Sequence, residues 1–205
     1  MSRARSNEFD PKAACEVADT FTASCHLLTS LTQAVDHARF LASPTTGPRS
    51  IVGHVFDIAP VSVLESVAVE LYLKALVKHL VGRSMVGHDA LALFKSLPTY
   101  AKADLELAYR DLVDRTPTGP TMPFLPDFKA ALHPFRNALQ LWRYPYEQGT
   151  MARLTGQQQV GYMAGLLREY CAAKIGFERE RASPFEVVGR ASGWAFPFVL
   201  GADPG

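Results

Sequence analysis

The chain of 205 residues has few of the features that mark secreted, membrane or metal-binding proteins. Its three cysteines, Cys15, Cys25 and Cys171, are too few and too scattered for a disulfide framework or a zinc site, so we expect buried, reduced thiols. The first ten residues lack the apolar core of a secretory signal, and no apolar run approaches the ~20 residues that cross a membrane. These absences predict a cytoplasmic protein.

An excess of charge of either sign is also missing. There are 21 Lys and Arg against 20 Asp and Glu, which leaves a net charge of +1. A protein that coats duplex DNA or docks on anionic lipid would carry a strong basic excess, so both classes are disfavoured. Hydrophobic residues make up 48% of the chain, a globular composition. The length predicts one domain over residues 1–182, followed by a tail over 183–205.

Several catalytic signatures are absent as well. No two histidines are three or four residues apart, so no metal site is expected, and there is no Gly-x-Ser-x-Gly motif of a serine hydrolase. Gly82 and Gly87 have the spacing of a phosphate-binding loop, but His88-Asp89 follows where Lys-Ser or Lys-Thr is required. We interpret the two glycines as an ordinary turn between helices, and we expect no cofactor.

Helical periodicity is what the sequence does carry. Asp10-Pro11 is typical of a helix start, and apolar residues then recur every three or four positions to about Leu41. Residues 61–81 are apolar almost all round, which predicts a central, buried helix. A single polar row interrupts this segment, and it consists of Ser66, Glu70, Lys74 and Lys78. The spacing of Glu70 and Lys74 favours an ion pair along the helix.

The rest of the chain continues the helical pattern. We predict a short helix capped by Asp89, another after Pro98, one from Asp127 that Pro134 kinks or starts, and one over residues 156–176. No alternating strand pattern occurs, so the predicted fold is an all-α bundle of five to six helices with an irregular C-terminal tail. The apolar stretch at 194–200 is expected to pack on the body of the protein or on a second subunit.

Two arginines mark a candidate binding surface. Arg136 and Arg143 are seven residues apart, two helical turns, and therefore lie on one side of a helix with Asn137 and Gln140 nearby. Two guanidinium groups in this arrangement suit an anion such as a phosphate.

A structural interpretation of the same arginines stays open. Arg143 has Glu147 four residues later, and Arg136 has Glu70 of the buried helix as a candidate partner. Because a catalytic arginine is also oriented by a buried glutamate, this pairing is compatible with either interpretation.

Residues 61–147 resemble the HEPN domains (higher eukaryotes and prokaryotes nucleotide-binding). The resemblance rests on Glu70-Leu-Tyr-Leu-Lys74, on Gly87-His88-Asp89, and on Arg136-Asn137 followed by Trp142-Arg-Tyr-x-Tyr-Glu147, in that order. It implies a helical bundle that forms a homodimer with the site at the interface. Catalytic members are metal-independent ribonucleases of toxin or defence systems, and a nucleotidyltransferase-like protein is an implied partner.

The chain departs from the family motif at its histidine. The motif is an Arg, a polar residue and then a His after four to six residues, whereas the permitted positions here hold Leu141, Trp142 and Arg143. None of these side chains replaces an imidazole as proton carrier at neutral pH. We therefore predict a non-catalytic protein that binds a nucleotide, RNA or a protein partner. The predicted ligand-binding residues are Arg136, Asn137, Gln140 and Arg143, with Glu70 and Lys74 in support.

Two alternatives remain open. In the first, the protein is a metal-independent endoribonuclease in which Arg136 stabilises transition-state charge and His133, or a histidine of the other subunit, transfers the proton. In the second, it is a scaffold without a ligand, and Arg136 is held in a buried ion pair.

Overall fold

The computed structural model describes residues 9–42, 51–116, 124–133 and 157–177, with the backbone alone described for 31–42, 51–60 and 157–158. These ranges contain six helices and no strand. The helices are α1 (Pro11–Ala42), α2 (Ile51–Val81), α3 (Ala90–Ser96), α4 (Thr99–Arg115), α5 (Phe128–Leu132) and α6 (Gln157–Ile175). The predicted all-α fold is confirmed. The expected C-terminal tail lies outside the described residues.

Local chemistry accounts for most helix starts. Asp10 accepts a hydrogen bond from the Lys12 amide at 2.9 Å, and Asp89 and Asp127 cap α3 and α5 in the same way. Pro98 stands at the N-cap of α4, where a missing N–H costs nothing. Each of these boundaries agrees with the prediction from sequence.

The start of α2 differs from the prediction. The helix begins at Ile51 rather than near Val61, and its backbone continues through Pro60. Proline cannot donate the hydrogen bond of a helix interior, so the sequence signal weakens at this point although the helix persists.

Helix α2 is the centre of the bundle, as predicted. It packs against α1, α3 and α6. Its buried side chains include Ala68, Val69, Tyr72, Leu73, Leu76 and Val77. Helix α6 faces it with Val160, Met163, Leu167 and Cys171. All three cysteines are buried and free, which confirms their expected role as small core residues.

A hydrogen-bonded group ties three helices together. Arg168 on α6 donates from Nε and Nη2 to the two carboxylate oxygens of Asp19 on α1, at 2.8 and 2.7 Å. The hydroxyl of Tyr72 on α2 donates to the same carboxylate.

Because Gly161 lies against Glu65 while Cys171 lies against the Tyr72 backbone, α6 and α2 run in the same direction.

An aromatic cluster joins the shorter helices. Phe128 of α5 lies between Phe94 of α3 and Tyr109 of α4, with ring centroids 5.2 and 5.6 Å apart. This cluster fixes α3 beside α5, and so positions the turn that precedes α3. Among the described helices, none combines the length and hydropathy that a membrane span requires.

Candidate functional site

The polar row of α2 contains a buried carboxylate, that of Glu70. Ser66 and Glu70 are buried, and Lys74 is half-buried. Lys74 Nζ donates to Glu70 Oε1 at 2.6 Å, which confirms the predicted ion pair. Only 9% of the Glu70 side chain and 16% of the Lys74 side chain are exposed, so water screens this pair far less than it screens a surface pair.

His88 is the second partner of this carboxylate. Its Nδ1 lies 3.0 Å from Glu70 Oε1 and 3.1 Å from Oε2, although 18 residues separate the two in sequence. An ionised carboxylate only accepts hydrogen bonds, so the Nδ1–H of His88 is the donor and the oxygens of Glu70 accept. The other ring nitrogen, Nε2, has no hydrogen-bond partner among the described groups, and the side chain is 59% exposed.

The turn between α2 and α3 places His88 there. Gly82 and Gly87 have φ of 78° and 108°, a region that side chains other than glycine rarely adopt, and they confirm the predicted turn. Asp89 then starts α3 by accepting a hydrogen bond from the Ala92 amide at 3.0 Å. With Gly87 and Asp89 on either side, the backbone of His88 is held in position beside α2.

The sequence around this site carries a small excess of positive charge. Residues 70–89 include Lys74, Lys78 and Arg83 against Glu70 and Asp89, together with His79 and His88. Part of this charge favours the helix itself, because basic groups complement the negative C-terminal end of a helix. The remainder raises the local positive potential around the exposed ring of His88.

The site formed by Glu70, Lys74 and His88 can act chemically in two ways. A neutral His88 held through Nδ1–H presents a lone pair at Nε2 and can accept a proton. When protonated, it presents an N–H donor at Nε2, close to a lysine that shares the same carboxylate. The arrangement therefore suits either an anion or a group that gives up a proton.

The structure brings together only part of the predicted site. Glu70 and Lys74 are joined, whereas His133 is exposed at the C-terminal end of α5. Four predicted residues lie outside the described residues, namely Arg136, Asn137, Gln140 and Arg143. The alternative in which Arg136 pairs with Glu70 is thus not tested, and the described partners of Glu70 are Lys74 and His88.

Sequence reasoning did not identify His88 as a site residue. Its position immediately before the helix cap Asp89 was visible, but no periodicity relates it to Glu70 across a glycine-flanked turn. The contact depends on how α3 folds back onto α2.

No metal centre accompanies the site, since the described part of the chain holds no group of three or more His, Cys, Asp or Glu that could bind an ion.

Comparison of the chain with protein-family models, with curated proteins and with solved structures finds no match in any of the three. The resemblance to HEPN domains therefore stays a prediction.

Proposed function

We propose that the protein binds a phosphate group of a nucleotide or of RNA at the surface formed by Lys74 and His88 around Glu70. The observation that carries this proposal is the exposed imidazole of His88, which is held by a buried carboxylate that also holds Lys74. The HEPN resemblance adds Arg136, Asn137, Gln140 and Arg143 as further candidate ligands of the phosphate, and it adds a homodimer as the proposed assembly.

Preorganisation supports the choice of a phosphate. Phosphate oxygens accept short, charge-assisted hydrogen bonds, and such bonds are strongest when the donors are already oriented. Glu70 fixes the ring of His88 through Nδ1, so that in the protonated ring the Nε2–H donor is directed without further loss of side-chain freedom. The small basic excess of residues 70–89, to which Lys78 and Arg83 contribute, favours the approach of an anion.

A binding measurement tests the proposal. We would titrate the full chain into fluorescently labelled single-stranded RNA at low salt, with nucleoside monophosphates and inorganic phosphate as competitors. We expect binding that His88→Ala weakens by about threefold to tenfold, the effect of one hydrogen bond from a solvent-exposed side chain. Arg83→Ala in the exposed turn is expected to weaken binding and to reduce its salt dependence.

The matched control is Arg115→Ala. Arg115 is an exposed arginine on α4 that pairs with Asp111 at 2.8 Å, so its loss removes the same type of charge elsewhere. Its variant is expected to bind as the wild type does. If RNA and all competitors show no affinity, or if His88→Ala and Arg115→Ala have equal effects, the proposal is wrong.

One observation favours a second candidate function, the metal-independent cleavage of RNA. A carboxylate on Nδ1 with Nε2 open to solvent is how an imidazole is oriented as a general base. In this reaction the proton of a 2′-hydroxyl moves to His88 Nε2 while the 2′ oxygen bonds to phosphorus. The bond from phosphorus to the 5′ oxygen breaks, and that oxygen takes a proton from water.

A cleavage assay in the presence of a chelator separates the two functions. Cleavage that is lost in His88→Ala and kept in His133→Ala would assign the base to His88, and the reverse result would assign it to His133. Binding without any cleavage by the wild type would leave only the first proposal.

A further inference from the structure

Helix α1 has a second neutral face, which points away from the bundle. Its inner face packs on α2 and α6, and the buried residues of that face are Ala14, Cys15, Ala18, Thr22 and Cys25. On the opposite side, uncharged residues recur at alternating steps of four and three positions. These residues, which we call the outer seam, are Ala13, Val17, Thr20, Ser24 and Leu27. With 3.6 residues per turn, the outer seam lies about half a turn away from the inner face.

The outer seam is open to solvent and has no unsatisfied polar group of its own. The side chains of Val17 and Leu27 are 49% and 53% exposed. The hydroxyl of Thr20 donates to the backbone oxygen of Glu16 at 3.1 Å, and that of Ser24 donates to the backbone oxygen of Thr20 at 2.9 Å. Because both hydroxyls are bonded within the helix, the seam needs no polar groups from a partner.

Charge is scarce along this part of α1. Residues 13–35 contain no Lys or Arg and two acidic residues, Glu16 and Asp19. The carboxylate of Asp19 is turned inward and accepts hydrogen bonds from Arg168. A helix that is apolar all round is typically buried, so the composition of α1 indicates that both of its faces are covered in the assembled protein.

Helix α4 shows how an ordinary exposed face differs. Its Leu107 is 68% exposed, but Asp104 and Asp111, which lie one turn before and one turn after it, are exposed carboxylates on the same side. A single apolar side chain among charges is normal on a protein surface. The outer seam of α1 is instead a continuous neutral line.

The spacing of the outer seam identifies the kind of partner. Alternating steps of four and three give a period of 3.5 residues, which is typical of a helix that packs along another helix. The absence of basic residues disfavours a lipid surface or a nucleic acid at this face. The backbone stays helical to Ala42, and the sequence continues the same spacing at Leu31, Ala34, Ala38 and Leu41. At 1.5 Å per residue, this line is roughly 40 Å long.

The outer seam is complementary to itself when two copies run antiparallel. A twofold axis at the level of Thr22 places Val17 opposite Leu27 of the second copy, and Thr20 opposite Ser24 of the second copy. Large apolar side chains then meet each other, and so do the small ones. The two Glu16 carboxylates lie about 18 Å apart along the helices, whereas a parallel pair in register would bring them to the same level.

We propose that the outer seam is the interface of a homodimer in which α1 packs antiparallel against α1 of a second copy. The seam faces away from α2, so the interface does not involve Glu70, Lys74 or His88. It gives the homodimer proposed above a defined surface, and it does not rest on phosphate binding. Because only one helix of each chain takes part, the interface is at the small end of the range for specific dimers, and we expect a dissociation constant in the micromolar range.

Sedimentation velocity of the full chain from about 1 to 200 µM tests the proposal. The wild type is expected to pass from monomer to dimer over this range. Leu27→Glu buries a carboxylate at two symmetry-related positions, so the dissociation constant is expected to rise at least thirtyfold, on the order of the loss of an interface hot spot. A wild type that stays monomeric, as it would if another segment or another protein covers the seam, overturns the proposal. A dimer that Leu27→Glu leaves intact overturns it as well.

The matched control is Leu107→Glu, which adds the same charge at an equally exposed leucine of α4 and is expected to dimerise as the wild type does. Circular dichroism checks that each variant is helical. If Leu27→Glu does not fold, Leu27→Ser removes apolar surface without adding a charge and is expected to weaken the dimer by about threefold to tenfold. A monomeric wild type that binds RNA would overturn the dimer interface and leave the phosphate site standing.

The antiparallel pairing has a test of its own. Val17→Glu and Leu27→Lys are each expected to be monomeric, and an equimolar mixture of the two is expected to form a heterodimer. In the antiparallel pair, the new glutamate faces the new lysine, while the unchanged Leu27 of one chain faces the unchanged Val17 of the other. A parallel pair would bring neither match, so a mixture that stays monomeric overturns the proposed pairing.

Discussion

Glu70 on α2 and His88 at the start of α3 are joined by a two-point contact, with Nδ1 of the imidazole 3.0 and 3.1 Å from the two carboxylate oxygens. This contact fastens the end of the turn to the central helix. Because the buried carboxylate occupies Nδ1, Nε2 is the ring nitrogen that remains available to a ligand.

Glu70→Gln is expected to remove the preference of His88 for the Nδ1–H tautomer. An amide both donates and accepts, so it no longer requires a proton on Nδ1. Nitrogen NMR should show the Nδ1–H tautomer in the wild type and a mixture in the variant, with the exposed His79 of the same helix as internal reference. Because Lys74 loses its charged partner, the free energy of unfolding should also fall by about 1–2 kcal/mol. Unchanged tautomer populations would contradict the assigned contact.

Asp19→Asn is expected to weaken the junction of α1, α2 and α6. The carboxylate accepts from Arg168 and Tyr72, and the side chains of Asp19 and Arg168 are only 23% and 19% exposed. Losing these charge-assisted bonds should lower the free energy of unfolding by about 2 kcal/mol in chemical denaturation.

The matched comparison for Asp19→Asn is Asp111→Asn, which breaks an exposed ion pair with Arg115. Surface pairs contribute little, so this variant should change stability by less than about 0.5 kcal/mol. Equal losses in the two variants would mean that the three-helix junction has no special role in stability.

Tyr109→Phe should separate hydrogen bonding from packing in the aromatic cluster. The Tyr109 hydroxyl donates to the backbone oxygen of Leu125 at 3.2 Å, and its loss is expected to cost about 1 kcal/mol. Phe128→Ala removes a fully buried ring and should cost about 3–5 kcal/mol. Tyr100→Phe, at a half-exposed tyrosine of α4, serves as the control and should leave the thermal midpoint unchanged.

Two part-buried groups, His26 and Glu65, should make stability depend on pH in opposite directions. The folded pKa of His26 is lowered to about 4, so its contribution is complete above its ordinary value of 6.5 and is lost as the pH falls toward 4. The folded pKa of Glu65 is raised to about 8, so its contribution is complete below 4.5 and is lost as the pH rises toward 8. The two slopes oppose each other between pH 4.5 and 6.5.

Above pH 6.5, of these two groups, only Glu65 still contributes to the pH dependence of the free energy of unfolding. Urea denaturation of the wild type should therefore show nearly constant stability from pH 4.5 to 6.5 and then a loss of up to about 2 kcal/mol by pH 8. Glu65→Gln should instead gain stability up to pH 6.5 and stay level beyond it, whereas Glu16→Gln follows the wild type. A wild-type profile that rises from pH 6.5 to 8 would contradict the assignment.

Features that depend on neighbours in sequence were predictable. Asp89, Pro98 and Asp127 mark helix boundaries because a side chain or a missing N–H acts within one turn. The pair of Glu70 and Lys74 follows from the four-residue helical period. The continuation of α2 back to Ile51 was not predictable in this way, because Pro60 interrupts the local signal.

The sequence by itself determined that the protein is helical, that α2 is its central helix, and that three thiols are core residues, since helical periodicity and hydropathy are properties of single segments. Only the tertiary structure decided which segments meet. It placed His88 on Glu70, Arg168 on Asp19 across 149 residues, and Gly161 on Glu65. Such pairings depend on the direction and level at which helices pack, and these arise from the fit of whole surfaces rather than from any local pattern.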